Sequence, residues 1–176
     1  LPADPMPLLE TWFKDAARAS RSPNPDAIVV ATCTSDADPS ARVVLCRGLD
    51  VAQGSVTFYT NSRSRKGRDI GANPRAEAVF FWDHTSRQAR VHGPVVTVSD
   101  VESDAYFASR PLLSRLGAWA SQQSEAMESR AVLAERLLET MDRFGVSLTD
   151  LALSGRTVHV PRPPHWGGFR IVADRV

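Results

Sequence analysis

Between Ala27 and Val98 the chain alternates β-rich runs with turn residues at short intervals, and that rhythm limits the architectures open to it. Ala27-Ile28-Val29-Val30-Ala31-Thr32 is the first run, and Asp36 to Ser40 turns the chain. Ala41–Leu49 and Ser55–Thr60 follow, parted by a turn that begins at Val51 and holds Gly54. Ala76–Trp82 and Gln88–Val98 complete the series, with Gly93-Pro94 expected to bend the last run or place it at an edge. Short strands with turn signals between them predict an antiparallel sheet or barrel.

Helical patterns lie on either side. From Pro7 to Ala19, the residues Leu8, Leu9, Trp12 and Phe13 share one face at helical spacing. Ser20 to Pro25 reads as a polar linker. Ser99 or Asp100 caps a helix that runs to about Ser109, before Pro111. Ser124–Phe144 reads as a longer helix with Met127, Leu133, Leu137 and Met141 among its apolar positions. Val146 to Pro164 reads as irregular and long for a connection, and Trp166-Gly167-Gly168-Phe169-Arg170-Ile171-Val172 as a further strand. At 176 residues the expectation is a single domain over 1–176. It would comprise an N-terminal helix at 7–19, a barrel over 27–98, a helical part over 100–144 and a last strand from 166.

Charge narrows the function. Lys and Arg total 21 against 20 for Asp and Glu, a net charge of +1, so nothing global favours nucleic acid or a membrane surface. Cys33 and Cys46 form no CxxC pair and read as buried free thiols in strand-like runs. His84, His92, His159 and His165 are not spaced with one another or with Cys for a metal site, and no metal is expected. There is no GxGxxG, P-loop or nucleophile elbow. No stretch resembles a signal peptide or a bilayer span, which leads to an expected cytoplasmic location.

Basic character is local. Phe58-Tyr59-Thr60-Asn61-Ser62-Arg63-Ser64-Arg65-Lys66-Gly67-Arg68 ends a strand-like run and then places four cations within six positions. Ser64 suits the N-cap of a short helix that Asn73-Pro74 would stop. Cations at a helix N-terminus oppose the macrodipole at about 0.3–1 kcal/mol each. Hydroxyls, free N–H groups and cations gathered there suit a phosphate. Taken alone, the stretch reads first as a solvated basic turn, since charge clusters are usually just surface.

Several strings together resemble the pyridoxine/pyridoxamine 5′-phosphate oxidase family of FMN enzymes. Arg42-Val43-Val44-Leu45-Cys46-Arg47 resembles its first FMN-binding strand, and Tyr59-Thr60 with Ser64-Arg65-Lys66-Gly67 its phosphate-binding segment. Asn73-Pro74-Arg75 and Arg87-Gln88 follow in order. Tyr106-Phe107-Ala108-Ser109-Arg110-Pro111 with Ser114 resembles the segment that grips the substrate phosphate. Gly117-Ala118-Trp119-Ala120-Ser121-Gln122-Gln123-Ser124 is the most specific string.

The resemblance implies a mainly β fold, a split β-barrel of Greek-key antiparallel strands with flanking helices that binds FMN. It implies a homodimer with FMN at the interface. Arg42, Arg65 and Lys66 would contact the FMN phosphate and Thr60 would add a hydroxyl, within a cofactor set of Arg42, Val43, Val44, Leu45, Cys46, Arg47, Tyr59, Thr60, Arg65, Lys66, Gln88, Gln123 and Ser124. Gln88 would reach the flavin, and Gln123 and Ser124 would come from the partner subunit. Tyr106, Arg110 and Ser114, with Arg47, would bind the substrate. Trp119 and Trp166 read as core or interface residues.

The implied reaction oxidises pyridoxine or pyridoxamine 5′-phosphate to pyridoxal 5′-phosphate, with O2 reduced to H2O2. No catalytic acid or base is named by the sequence. Arg47 stands where the family usually has Lys, an exchange that keeps the charge but changes its shape. The family also continues beyond the Trp-Gly-Gly-Phe strand, into a tryptophan and an Arg-x-His-x-x-Arg motif that this sequence lacks. Two alternatives stay open: a related FMN oxidase of secondary metabolism, of the phenazine type, and a non-catalytic protein that binds FMN or pyridoxal phosphate.

Overall fold

Inward-facing apolar residues on six strands build the core, and strand pairing wraps those strands around it. The computed structural model describes residues 3–19, 23–121, 127–152 and 158–176. These fall into two compact units, residues 1–98 with 168–176 and residues 99–167.

The first unit holds the helices α1 (Met6–Ala19) and α2 (Arg65–Ala72) and the strands β1 (Ala27–Cys33), β2 (Pro39–Asp50), β3 (Ser55–Asn61), β4 (Arg75–Trp82) and β5 (Arg87–Thr97). A last strand, β6 (Trp166–Val172), enters it from residue 168. The strands close a barrel in the order β1-β2-β3-β6-β5-β4, and the β1–β2, β1–β4, β2–β3, β4–β5 and β5–β6 ladders are antiparallel. The antiparallel barrel with flanking helices is therefore the observed architecture.

Two strands each serve two ladders. β2 pairs with β1 from Pro39 to Leu45 and with β3 from Cys46 to Asp50, with a bulge between Cys46 and Gly48. β5 pairs with β4 up to Pro94 and with β6 from Val95 to Thr97. The bend expected at Gly93-Pro94 is this change of partner. Gly93 makes it possible: a Cβ there would lie 1.8 Å from the Val172 carbonyl oxygen.

Alternation sets the faces. Ile28, Val30, Val56, Phe58, Ala78, Phe80, Val91 and Ile171 are buried. On α1, Met6, Leu9 and Ala16 are buried, and Phe13 meets Phe80 edge-on with centroids 6.1 Å apart. Burying a Phe side chain is worth about 1.5–3 kcal/mol, so this stripe is enough to seat the helix. Arg87 ties it further, donating to Asp15 at 3.0 Å with its guanidinium 5.2 Å from the Trp12 ring centroid. Cys46 is buried as expected, and burial pushes its thiol up to about 12. Cys33 is only half-buried, with its sulfur accepting from Asn73 Nδ2 at 3.1 Å.

The second unit is helical: α3 (Asp100–Ser109), α4 (Leu112–Ala120), α5 (Arg130–Arg143) and α6 (Leu148–Ala152). Ser99 caps α3, its hydroxyl accepting from Glu102 N. The sequence pattern predicts no helix behind Pro111. Yet Pro is tolerated at a helix start, and Leu116 and Ala120 form the buried side of α4. α5 begins later than the Ser124 expected: Ser129 is its N-cap, accepting from Val132 N, and residues 127–129 are not helical. The stretch from 146 is not wholly irregular either. Ser147 and Asp150 cap each other's backbone N–H groups at 3.2 and 2.8 Å and start α6. No described helix is long and apolar enough to cross a membrane.

Replacing Gly93 with Ala should cost about 1–3 kcal/mol, since backbone rather than a flexible side chain blocks the added methyl. Urea unfolding should show a lower midpoint with an unchanged slope.

Candidate functional site

The turn between β3 and α2 gathers cations around hydroxyls. Ser64 ends the turn with its N–H on the Asn61 carbonyl at 3.1 Å, and its side chain caps α2 by accepting from Gly67 N at 3.4 Å. Such a cap is worth about 1 kcal/mol. Gly67 is required by closeness: a Cβ there would sit 2.0 Å from the Ser62 carbonyl oxygen. No acidic residue lies in the first turn of α2, where Arg65 and Lys66 stand instead.

Lys66 carries the chemistry of this turn. It is buried, and its Nζ donates to Thr60 Oγ1 and Ser64 Oγ, both at 3.0 Å. Among the described residues no carboxylate pairs with it. Both lone pairs of Ser64 Oγ are then engaged, by Lys66 and by Gly67 N, so its O–H is left to donate. A buried ammonium with only hydroxyl partners is costly unless an anion completes it. Burial, with the Arg42 charge adding to it, holds the Lys66 pKa below its usual 10.5.

Arg42 reaches the same region from β2. Its Nη1 donates to the Val30 carbonyl at 3.0 Å and Thr32 Oγ1 at 2.8 Å, and its Nη2 donates to Ser40 Oγ at 2.7 Å. Asp69 of α2, itself buried, accepts from Thr32 Oγ1 at 2.6 Å and stands 3.6 Å from Arg42 Nη2. Burial lowers the Arg42 pKa, Asp69 opposes that shift, and Arg65 adds to it. Arg42 thus feels the charge of Arg65, and Lys66 that of Arg42. Arg65 lies at the surface, paired with Asp38 at 2.7 Å, where such a pair is worth about 0–1 kcal/mol. Three cations and two hydroxyls fit a phosphate dianion.

Asp69 and Thr32 were missed in the sequence. Thr32 follows Ile28 and Val30 on the inward face of β1, and a polar residue in that series was the available signal.

The rest of the expected cofactor set does not converge on this point. Val43, Leu45 and Arg47 alternate with Arg42, Val44 and Cys46, so the two groups face opposite sides of β2. Val43 is 65% exposed, and Arg47 donates to Asp26 at 2.5 Å. Tyr59 faces away from Thr60 and packs where Gly168 leaves room: a Cβ on Gly168 would be 2.7 Å from the Tyr59 ring. Gln88 is exposed on β5, opposite Phe81 of β4. Gln123 and Ser124 lie outside the described residues.

The expected substrate residues belong to the second unit. Tyr106 lies on α3, Arg110 is its C-cap, and Ser114 stands in the first turn of α4; all three are half-buried. Trp166 brings the first two together. Its ring stacks on Tyr106 at 6.0 Å and 10°, and the Arg110 guanidinium lies 4.9 Å from its centroid. Trp166 is buried, as expected of a core residue, and Trp119 donates from Nε1 to the Pro161 carbonyl at 2.7 Å. Among the described residues no group of three or more His, Cys, Asp or Glu could hold a metal ion.

The depressed Lys66 pKa has a measurable sign. With the folded value below the unfolded one, the charged lysine costs the fold most at low pH, and the cost fades as pH rises through the folded value toward 10.5. Lys66→Met should therefore be at least as stable as the parent at neutral pH without phosphate. The difference in urea midpoint should narrow on the way to pH 10.5; a pH-independent difference would count against a strained charge.

A family model described as pyridoxamine 5′-phosphate oxidase matches residues 13–140. A pyridoxine/pyridoxamine 5′-phosphate oxidase of Cupriavidus necator is 48% identical over 169 residues, covering 96% of this chain and 73% of that protein. One of Azorhizobium caulinodans is 47% identical over 173 residues, covering 98% and 75%. Among solved structures, PhzG from Burkholderia lata, in complex with tetrahydrophenazine-1-carboxylic acid, superposes with a TM-score of 0.81 at 31% identity, covering 98% of this chain and 77% of that one. A pyridoxamine 5′-phosphate oxidase-related, FMN-binding protein of Nostoc punctiforme shares the fold, with a TM-score of 0.69 at 15% identity, covering 98% and 82%. By the family match and the extent of these identities, the chain belongs to the pyridoxamine 5′-phosphate oxidase family.

Proposed function

We propose that this protein is an FMN-dependent oxidase that converts pyridoxine or pyridoxamine 5′-phosphate to pyridoxal 5′-phosphate. The observation that carries the reading is the buried Lys66, held by Thr60 and Ser64 and flanked by Arg42, with no carboxylate partner among the described residues. The anion that would complete this site is the FMN phosphate. Arg42, Lys66 and Arg65 supply the charge, Thr60 and Ser64 the hydroxyls, and Gln88 an amide for the flavin. When bound, FMN supplies a two-electron acceptor for the substrate carbon that bears the alcohol or amine, and returns those electrons to O2 as H2O2.

The chain's own residues bind and orient. Arg110 offers a guanidinium fork to the substrate phosphate, while the Tyr106 and Ser114 hydroxyls donate beside it. Arg47, exposed and balanced by Asp26, is the remaining cation of the set. Gln123 and Ser124 are assigned to a partner subunit, which requires a homodimer. An apolar strip on the outside of the barrel supports one: Val29 lies opposite both Val43 and Val79, and Phe81 continues the row, with Val43 65% and Phe81 62% exposed. Sedimentation should give twice the chain mass, and Val43→Asp should shift it toward the monomer.

A second reading has its own support. The likeness to PhzG at 31% identity favours an FMN oxidase that acts on a reduced phenazine carboxylate. Anaerobic mixing of the FMN-loaded protein with pyridoxine 5′-phosphate separates the two. Loss of flavin absorbance, with recovery and peroxide on admitting air, is expected. Bleaching only by a reduced phenazine carboxylate would transfer the assignment to the second reading. No bleaching by either would leave a binding protein. Arg110→Ala should raise KM for pyridoxine 5′-phosphate about 10–100-fold, the scale of one charge-assisted hydrogen bond.

A further inference from the structure

The Tyr106–Arg110 pair does not hold itself in place. Tyr106 stands near the end of α3 and Arg110 is the C-cap four positions on, a spacing that brings the two side chains near one another but does not by itself select their rotamers. Trp166 restricts them: its indole stacks on Tyr106, meets Phe107 edge-on at 5.0 Å and lies under the Arg110 guanidinium at 4.9 Å. Trp166 is itself fastened through its backbone. Its carbonyl accepts from Arg162 Nη1 at 2.6 Å, and its N–H donates to the Pro163 carbonyl at 3.0 Å.

Arg162 uses all three nitrogens of its guanidinium in this connection. Nε donates to Asp104 and Nη2 to Asp100, both at 2.6 Å, while Nη1 holds Trp166. Asp100 and Asp104 stand one turn apart on α3, on a different flank from Tyr106, two positions further on. The segment from Arg162 to Trp166 therefore straddles the helix, with ion pairs on one flank and the indole on the other. Prolines at 161, 163 and 164 fix φ on both sides of Arg162. The Arg162 side chain is only 14% exposed, whereas those of Asp100 and Asp104 are 87% and 61% exposed. Two surface carboxylates of α3 are thus used to hold one half-buried cation.

We infer that Arg162 is a positioning residue: by clamping the Trp166 backbone to α3 it presets Tyr106 and Arg110 to receive a phosphate monoester. This rests on the substrate reading above. Lysine could keep the charge but not three fixed donors, and leucine could fill the space but hold nothing.

The test uses FMN-loaded protein and a ligand that cannot be oxidised, 4-deoxypyridoxine, with and without its 5′-phosphate, titrated by calorimetry. The parent protein should prefer the phosphate ester. Arg162→Leu should lose about tenfold or more of that preference while keeping its FMN affinity, and Arg162→Lys should recover part of it. With oxidisable substrate the loss should appear in KM for the phosphate ester rather than in kcat. The double variant Asp100→Asn with Asp104→Asn loosens the same guanidinium without emptying its site, and should lower the preference in the same direction even if the leucine variant fails to fold. An unchanged preference in the Asn double variant, or in a folded leucine variant, would overturn the positioning role and leave the substrate reading standing. A parent protein that does not distinguish the two ligands would overturn both.

Discussion

Closure of the barrel depends on two strands that each answer to two neighbours. β2 and β5 are long enough to pass from one ladder to another, and each does so at a local irregularity: the bulge after Cys46 and the bend at Gly93-Pro94. The second is sterically absolute, because the Val172 carbonyl occupies the place of a Cβ. With these crossings made, β6 can enter between β3 and β5, and the end of β3 is delivered to α2, which packs on β1.

That delivery concentrates charge where the fold alone would not place it. Lys66 is buried against hydroxyls, and Arg42 is threaded among backbone and side-chain acceptors beside Asp69. Desolvation and mutual repulsion act against both cations. Such an arrangement works against stability, and the proposed FMN phosphate is the anion that would relieve it. The Arg65–Asp38 pair differs in kind, since it is exposed and energetically minor.

In the helical unit order comes from a few polar anchors on an aromatic cluster. Ser99, Ser129 and Ser147 start three helices with side-chain caps, and Arg162 joins α3 to the approach of β6. Trp166 is a packing residue by burial, yet its flat faces also set the directions of Tyr106 and Arg110. On the proposed substrate reading, packing and recognition share one side chain here.

Much of this was legible in the chain. Alternating runs and turn residues marked five strands, the Ser64 cap and the Asn73-Pro74 stop marked α2, and Lys66 was identified beside Thr60. The helix behind Pro111 escaped because proline was read as a stop, and the Ser147–Asp150 box escaped within a stretch taken as irregular. What local pattern determined was which segments are strand or helix and where cations cluster, because periodicity and capping act over a few residues. Only the tertiary structure decided that Arg42 meets Asp69 and Lys66 while Arg47 turns to the other face. Only it placed Arg162 against Asp100, Asp104 and Trp166. Those meetings depend on register and on contacts between residues far apart in the chain, and no short-range pattern encodes them.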